Sequence, residues 1–260
     1  AAMRATQQEL IFRELPHLKE RVVWLDALPA QPLSGVVFGN EVADALPVKR
    51  FRWQDEQVRE LGVTRESEVL ADCVRAAGDE LDDYVRQLAR DNAWPAHYES
   101  EYGPILQPWT RSIADCIDQG LLLLIDYGYG RAEYYHPQRS AGTLMCHYRH
   151  HAHDDPYRFP GLQDITAFVD FTAVAEAADE AGLQLQGFTS QAQFLIGCGI
   201  DQIMTELDPG DTRRFLQRSN EVKRLMLPGE MGDRFKVIAC SRGLRQEVRG
   251  FAARDLRSRL

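Results

Sequence analysis

Asn40, Glu41 and Asp44 stand together behind a short apolar run at 36–38 that ends in Gly39. Such a run reads as a buried parallel strand, and residues at the carboxyl end of such a strand project into the ligand crevice of an open sheet. Glu41 and Asp44 are one helical turn apart. Neighbouring carboxylates of this kind grip a planar N–H donor bidentately and accept a proton from it. Helix N-terminal capping is the competing use for Asn40 and Asp44. Asp126 closes a second apolar run, 121–125, and Asp26 closes a third, 22–25. Asp126 thus falls on a neighbouring strand, while Asp26 suits either a ligand-facing strand end or an ordinary exposed turn.

Tyr127, Tyr129, Tyr134 and Tyr135 follow Asp126. Each offers a flat apolar face with a polar tip, suited to walling an acceptor pocket or to plain loop packing. His147, His150, His151 and His153, with Asp154 and Asp155, carry zinc-ligand chemistry, but no paired second ligand motif accompanies them and no metal is expected. Over 164–171, Ile165, Ala167, Val169 and Phe171 alternate with polar residues. That spacing puts Asp164, Thr166 and Asp170 on one face, where they can close over a substrate, and leaves Thr172 to cap the next helix.

To hold these groups the chain must alternate strands with helices. Leu10, Ile11, Leu15 and Leu18 recur at helical spacing and predict an amphipathic helix over 3–15. The runs 22–25, 36–38 and 121–125 predict parallel strands, the last of them central and buried. Residues 48–53 and 57–63 predict a hairpin across a polar Gln-Asp-Glu turn. Apolar positions from Val69 to Leu88 follow a 3.6-residue repeat and predict one long helix with Gly78 inside it. Trp109, Ile113, Cys116 and Ile117 mark another helix, stopped by Gly120. A helix over 172–181, a strand around 183–188, two further helices and a last strand at 235–240 complete the pattern. The fold class is α/β: a doubly wound sheet with helical and hairpin insertions, one domain over 1–260 with an insertion subdomain at 64–118.

The 39 acidic side chains outnumber the 30 basic ones, for a net charge of -9. That balance argues against a nucleic-acid partner, which needs a basic face, and suits a basic protein partner. Five scattered cysteines form no CxxC pair and fit reduced thiols in a cytosol-like compartment. The longest apolar run has the length of a strand, so no membrane span is expected. The opening residues sit inside a helix pattern, with neither a signal-peptide core nor an Arg/Ser-rich presequence, which points to a bacterial cytoplasm rather than a mitochondrial matrix. The tail 242–260 carries six arginines against two acidic residues and reads as a solvated helix or a docking arm.

Four segments carry a resemblance. GNEVADALPV at 39–48, LLIDYGY at 123–129, PGLQDITAFVDF at 160–171 and MGDRFKV at 231–237 resemble, in sequence and in order, signatures of the MidA-like class I methyltransferases. That family includes a mitochondrial complex I assembly arginine methyltransferase. The resemblance implies a Rossmann-like class I sheet, S-adenosylmethionine as cofactor, and methylation of an arginine side chain on a protein substrate. By position it makes Glu41, Asp44 and Asp126 the catalytic candidates, and Asp26, Ala27 and Asn40 the cofactor-binding ones. It also implies that the family's first strand, its glycine-rich turn and its second strand with an acidic ribose ligand would precede the helix at 3–8. Those parts are lacking from this chain, and the first strand would lie between the strands at 22–25 and 36–38.

The implied chemistry fits the carboxylates, because a guanidinium stays protonated to a pH of about 12 and must be oriented and relieved of a proton before it attacks. An assembly or interaction protein that keeps the fold while methylating little is the alternative. A nicotinamide-dependent dehydrogenase shares the fold class, but the dinucleotide fingerprint is missing. A homodimer stays open.

Overall fold

The computed structural model describes residues 2–149, 151–208 and 210–260. Helix α1 (Ala2–Glu14) and a 3-10 turn (Pro16–Arg21) form the expected amino-terminal helical segment, with Phe12 meeting Trp24 edge to face at 5.9 Å. Its apolar stripe is not covered by the core: Leu10 and Leu15 stay exposed. Residues 22–25 form no strand, and Val23 and Leu25 are exposed as well. A strand needs a neighbour for its N–H and C=O groups, and none pairs with this run among the described residues.

Strand β1 (Leu33–Asn40) comes next, followed by the expected hairpin of β2 (Lys49–Gln54) and β3 (Gln57–Glu66). Asp55 and Glu56 take φ of 50° and 58°, a two-residue turn whose twist matches its strands. Residues 69–76 do not open a long helix. They form β4 (Val69–Ala76), antiparallel to β3, because Ser67 turns the chain back at φ 57°. Gly78 then serves as the N-cap of α2 (Asp79–Asp91), whose Asp79, Glu80 and Asp82 suit a helix N-terminus. With β5 (His97–Tyr102) on the far side of β2, the antiparallel order is β4–β3–β2–β5. Leu81, Val85 and Leu88 of α2 pack there with Phe51, Val58 and Tyr98.

Helix α3 (Leu106–Asp115) leads into the long β6 (Ile117–Tyr129), and the short α4 (Arg131–Tyr134) follows it. Tyr134 and Tyr135 sink into the core beneath α2, so of the two readings for these residues the packing one holds. Strands β7 (Met145–Tyr148), β8 (His151–His153) and β9 (Asp164–Thr166) make a small sheet ordered β8–β7–β9. Strand β10 (Val169–Asp170) lies parallel to the carboxyl end of β6. The rest runs through α5 (Phe171–Glu180), β11 (Gln184–Ser190), α6 (Gln191–Cys198), α7 (Ile200–Thr205), α8 (Thr212–Met226), α9 (Met231–Arg234) and β12 (Phe235–Arg242).

The central sheet is ordered β1–β6–β12–β11. β1 is parallel to β6, and β12 is antiparallel to both β6 and β11. Alternation along β6 and β12 feeds two cores. Leu122, Leu124, Ile238 and Cys240 face Phe171 and Val174 of α5, while Leu121, Leu123, Ile125, Val237 and Ala239 face Phe194 and Phe251. A strand apolar on both sides is therefore covered on both sides, as in a doubly wound class I sheet, and each large side chain buried adds about 1.5–3 kcal/mol. β1 is the sheet's edge, with Val36 and Phe38 left 65% and 59% exposed.

The tail is neither a helix nor a free arm. Two 3-10 turns (Arg249–Phe251 and Arg257–Arg259) lay it back on the sheet, with Phe251 buried and the Leu256 N–H donating to the Phe188 carbonyl at 2.6 Å. Its arginines dominate the composition, but its few apolar residues decide where it lies. No helix among the described residues is long and apolar enough to cross a membrane.

Candidate functional site

Strand β1 ends at Asn40 opposite Ile125, and the next residue turns sharply: Glu41 takes a left-handed φ of 53° while its N–H donates to the Ile125 carbonyl at 2.9 Å. A non-glycine residue there stores of order 1 kcal/mol of strain, so the surroundings must hold it. Asp126 does so. Its Oδ2 accepts the N–H groups of Val42 at 3.1 Å, Ala43 at 2.8 Å and Asp44 at 3.3 Å, and its Oδ1 accepts the Tyr127 N–H at 2.9 Å. The carboxyl is 2% exposed. Burial first, and then the charge of Asp44, push it up to about 7 against the pull of those N–H donors.

Asp44, at 7% exposed, is raised by burial and then by the negative charge of Glu41. Glu41 itself is exposed, with one oxygen taking the Asn40 Nδ2 at 3.1 Å. Both carboxylates line a cavity of about 780 Å³ with Tyr127, His147, Arg149 and Gln163. Neither forms an ion pair with Lys, Arg or His among the described residues. Tyr127 is wedged between Phe235, 3.8 Å away by ring centroids, and Phe168, and its hydroxyl is raised by burial and then by Glu41 and Asp44.

The structure thus brings Asn40, Glu41, Asp44, Asp126 and Tyr127 together and separates others from them. Asp26 is held by Arg4 at 2.6 Å, its side chain 86% exposed, with Ala27 beside it and also exposed. Asp170 does not share a substrate face with Asp164 and Thr166. It is the N-cap of α5, taking the Thr172 and Ala173 N–H groups and pairing with Arg131 Nε at 3.0 Å. Thr172, the expected cap, instead accepts the Arg131 N–H and donates to the Leu260 carbonyl. His147 reaches the cavity, His151 and His153 lie along β8, and His150 is outside the described residues.

Three contributors went unseen in the sequence. Arg149, just after β7, and Gln163, just before β9, complete the cavity wall from the same end of the small sheet. Glu101, buried on β5, accepts the Thr143 N–H at 2.8 Å, the Thr143 hydroxyl at 2.9 Å and the Leu144 N–H at 3.3 Å. It fixes the start of β7, which carries His147 into the site. The only hint in the sequence is Gly142, at φ 75°, where any side chain would overlap that carboxylate.

Residues 1–189 match the family model described as "Putative S-adenosyl-L-methionine-dependent methyltransferase". A mitochondrial protein arginine methyltransferase NDUFAF7 homolog of Caenorhabditis elegans is 27% identical over 225 residues, covering 84% of this chain and 50% of that protein. The protein arginine methyltransferase NDUFAF7 of Danio rerio is 28% identical over 222 residues, with the same shares of 84% and 50%. This chain therefore spans about half the length of the curated relatives it matches. Among solved structures, a protein from Burkholderia thailandensis described as a "likely methyl transferase" and bound to S-adenosyl-homocysteine superposes with a TM-score of 0.93 at 41% identity, over 100% of this chain and 66% of that one.

Proposed function

This chain belongs to the S-adenosyl-L-methionine-dependent methyltransferase family whose model covers residues 1–189, and on that premise we propose that it methylates an arginine side chain of a protein substrate. The observation that carries the reading is the Glu41 and Asp44 pair: two carboxylates on one cavity wall, free of ion pairs among the described residues, beside the flat ring of Tyr127. A guanidinium entering this cavity finds planar acceptors for its N–H groups. The arginine methyltransferases among the relatives support the same substrate class.

The methyl group comes from the sulfonium of S-adenosylmethionine when that cofactor is bound. Asp26, exposed though paired with Arg4, and Asn40, at the end of β1 with its amide nitrogen on Glu41, would with Ala27 hold the polar adenosyl end. Asp44, the more buried acid, orients the guanidinium, and the exposed Glu41 takes the proton that the attacking nitrogen must shed and passes it to water. Asp126 acts through them as a positioning residue, since its oxygens are engaged by backbone N–H groups. Orientation and proton acceptance of this kind contribute on the order of a hundredfold to ten-thousandfold in rate.

Mass-spectrometric detection of methylarginine on an arginine peptide, with Glu41→Gln as control, tests the reading. Methylation that Glu41→Gln depresses supports it, and methylation untouched by that change removes Glu41 from the acceptor site. The second reading, an interaction protein that methylates little, gains if S-adenosylhomocysteine fails to raise the melting temperature even with the family's glycine-rich segment restored to the chain.

A further inference from the structure

We propose that the acceptor arginine reaches Glu41 and Asp44 on an extended polypeptide whose adjacent residues lie in an apolar groove between the β2–β3–β4 sheet and the loop at 154–162; this rests on the arginine-methylation reading. The groove measures about 680 Å³, and its walls share Ala45, Ile165 and Thr166 with the carboxylate cavity, so the two adjoin along those residues. Val48, Leu61 and Val63 line its sheet side, and Pro156, Pro160 and Ile165 of β9 line its loop side. Val63 is 61% exposed and Ile165 is exposed too. Apolar surface left open within a cleft of this size is the mark of a ligand site.

The groove is built. The Tyr157 hydroxyl donates to Asp72 Oδ1 at 2.5 Å, and the same oxygen takes Arg50 Nη1 at 2.6 Å, which ties the loop across to β4. Arg75 is matched by Glu60 at 2.6 Å. Lys49 lines the groove with no ion pair among the described residues, so it offers a positive charge to a carboxylate on the incoming segment. An extended segment turns alternate side chains to one side, and those that face the groove must be apolar. Free arginine would fill the cavity and leave the groove empty.

Fluorescence anisotropy of the 260-residue chain with labelled arginine peptides tests the proposal. One peptide carries leucine and valine beside the arginine together with a glutamate, and its counterpart has serine at each apolar position. The expected result is roughly tenfold tighter binding of the apolar peptide, a preference that Val63→Glu abolishes at an unchanged melting temperature. Val63→Ser serves the same purpose should the charge disturb folding. Equal binding of the two peptides by the unaltered chain, or a preference that survives both substitutions, overturns the proposal. Replacing the arginine by citrulline reads the acceptor site separately: equal binding with the flank preference intact discards the guanidinium reading and leaves the groove standing.

Discussion

Asp126 and Asp44 are linked twice: Asp126 Oδ2 accepts the Asp44 N–H at 3.3 Å, and the Asp44 charge adds to burial in holding the Asp126 carboxyl up at about 7. The group that shapes the 41–44 turn is therefore itself sensitive to proton concentration near neutrality.

That link gives stability a definite pH dependence. Unfolded, Asp126 titrates near 3.8; folded, near 7. Between those values the folded chain binds more protons, so this group's contribution to stability is fully present below about pH 4 and is lost as pH rises towards 7, by roughly 1 kcal/mol per pH unit. Asp44, also raised, acts in the same direction. Asp126→Asn removes the larger part of that slope. Melting temperatures of both proteins from about pH 5 to pH 8 check it, and a difference between them that does not change with pH contradicts the assignment.

Glu41 separates conformation from chemistry. At φ 53° a glycine relieves strain, so Glu41→Gly raises stability by about 1 kcal/mol, a few degrees in melting temperature, while abolishing methyl transfer. Glu41→Gln keeps the strain and the shape, and lowers turnover with no gain in stability. A destabilised glycine variant shows that the turn is held by contacts of the Glu41 side chain rather than by Asp126.

Glu101 is expected to matter without touching substrate. Glu101→Ala leaves the buried donors of Thr143 and Leu144 unmatched and costs about 2 kcal/mol or more. Loosening the start of β7 displaces His147, so affinity for the arginine peptide falls more than affinity for S-adenosylhomocysteine. Titration of each ligand against the variant checks this, and equal losses for both mark a general loss of folding instead.

The strands of the central sheet were legible because 121–125 and 237–240 are continuous apolar runs, which only a sheet covered on both faces buries. Val69 to Ala76 was misread since its apolar spacing fits a helix as well as a half-buried strand, and only the turn at Ser67 decides between them. The acids at 41 and 44 were legible as strand-end groups. The role of Asp126 as a clamp was not, because its partners lie 82 to 84 residues away and no local pattern encodes them. Glu101 was hidden likewise, 42 residues from Thr143.

The tail's attachment admits a sharper test than deletion. A Cβ at Gly187 would overlap the Phe251 ring, which lies on β11 beside Phe194 at a centroid distance of 5.3 Å. Phe251→Ala empties that place and costs about 3 kcal/mol. Gly187→Ala alone pushes the ring out and costs about 2 kcal/mol. In the double variant the alanine at 187 meets open space, so the two costs fall short of additivity by about 1 kcal/mol or more. Urea unfolding of the four proteins measures the shortfall. Strict additivity means that Phe251 does not sit on Gly187 in solution, and the tail would then be the loose, arginine-rich segment that its composition alone describes.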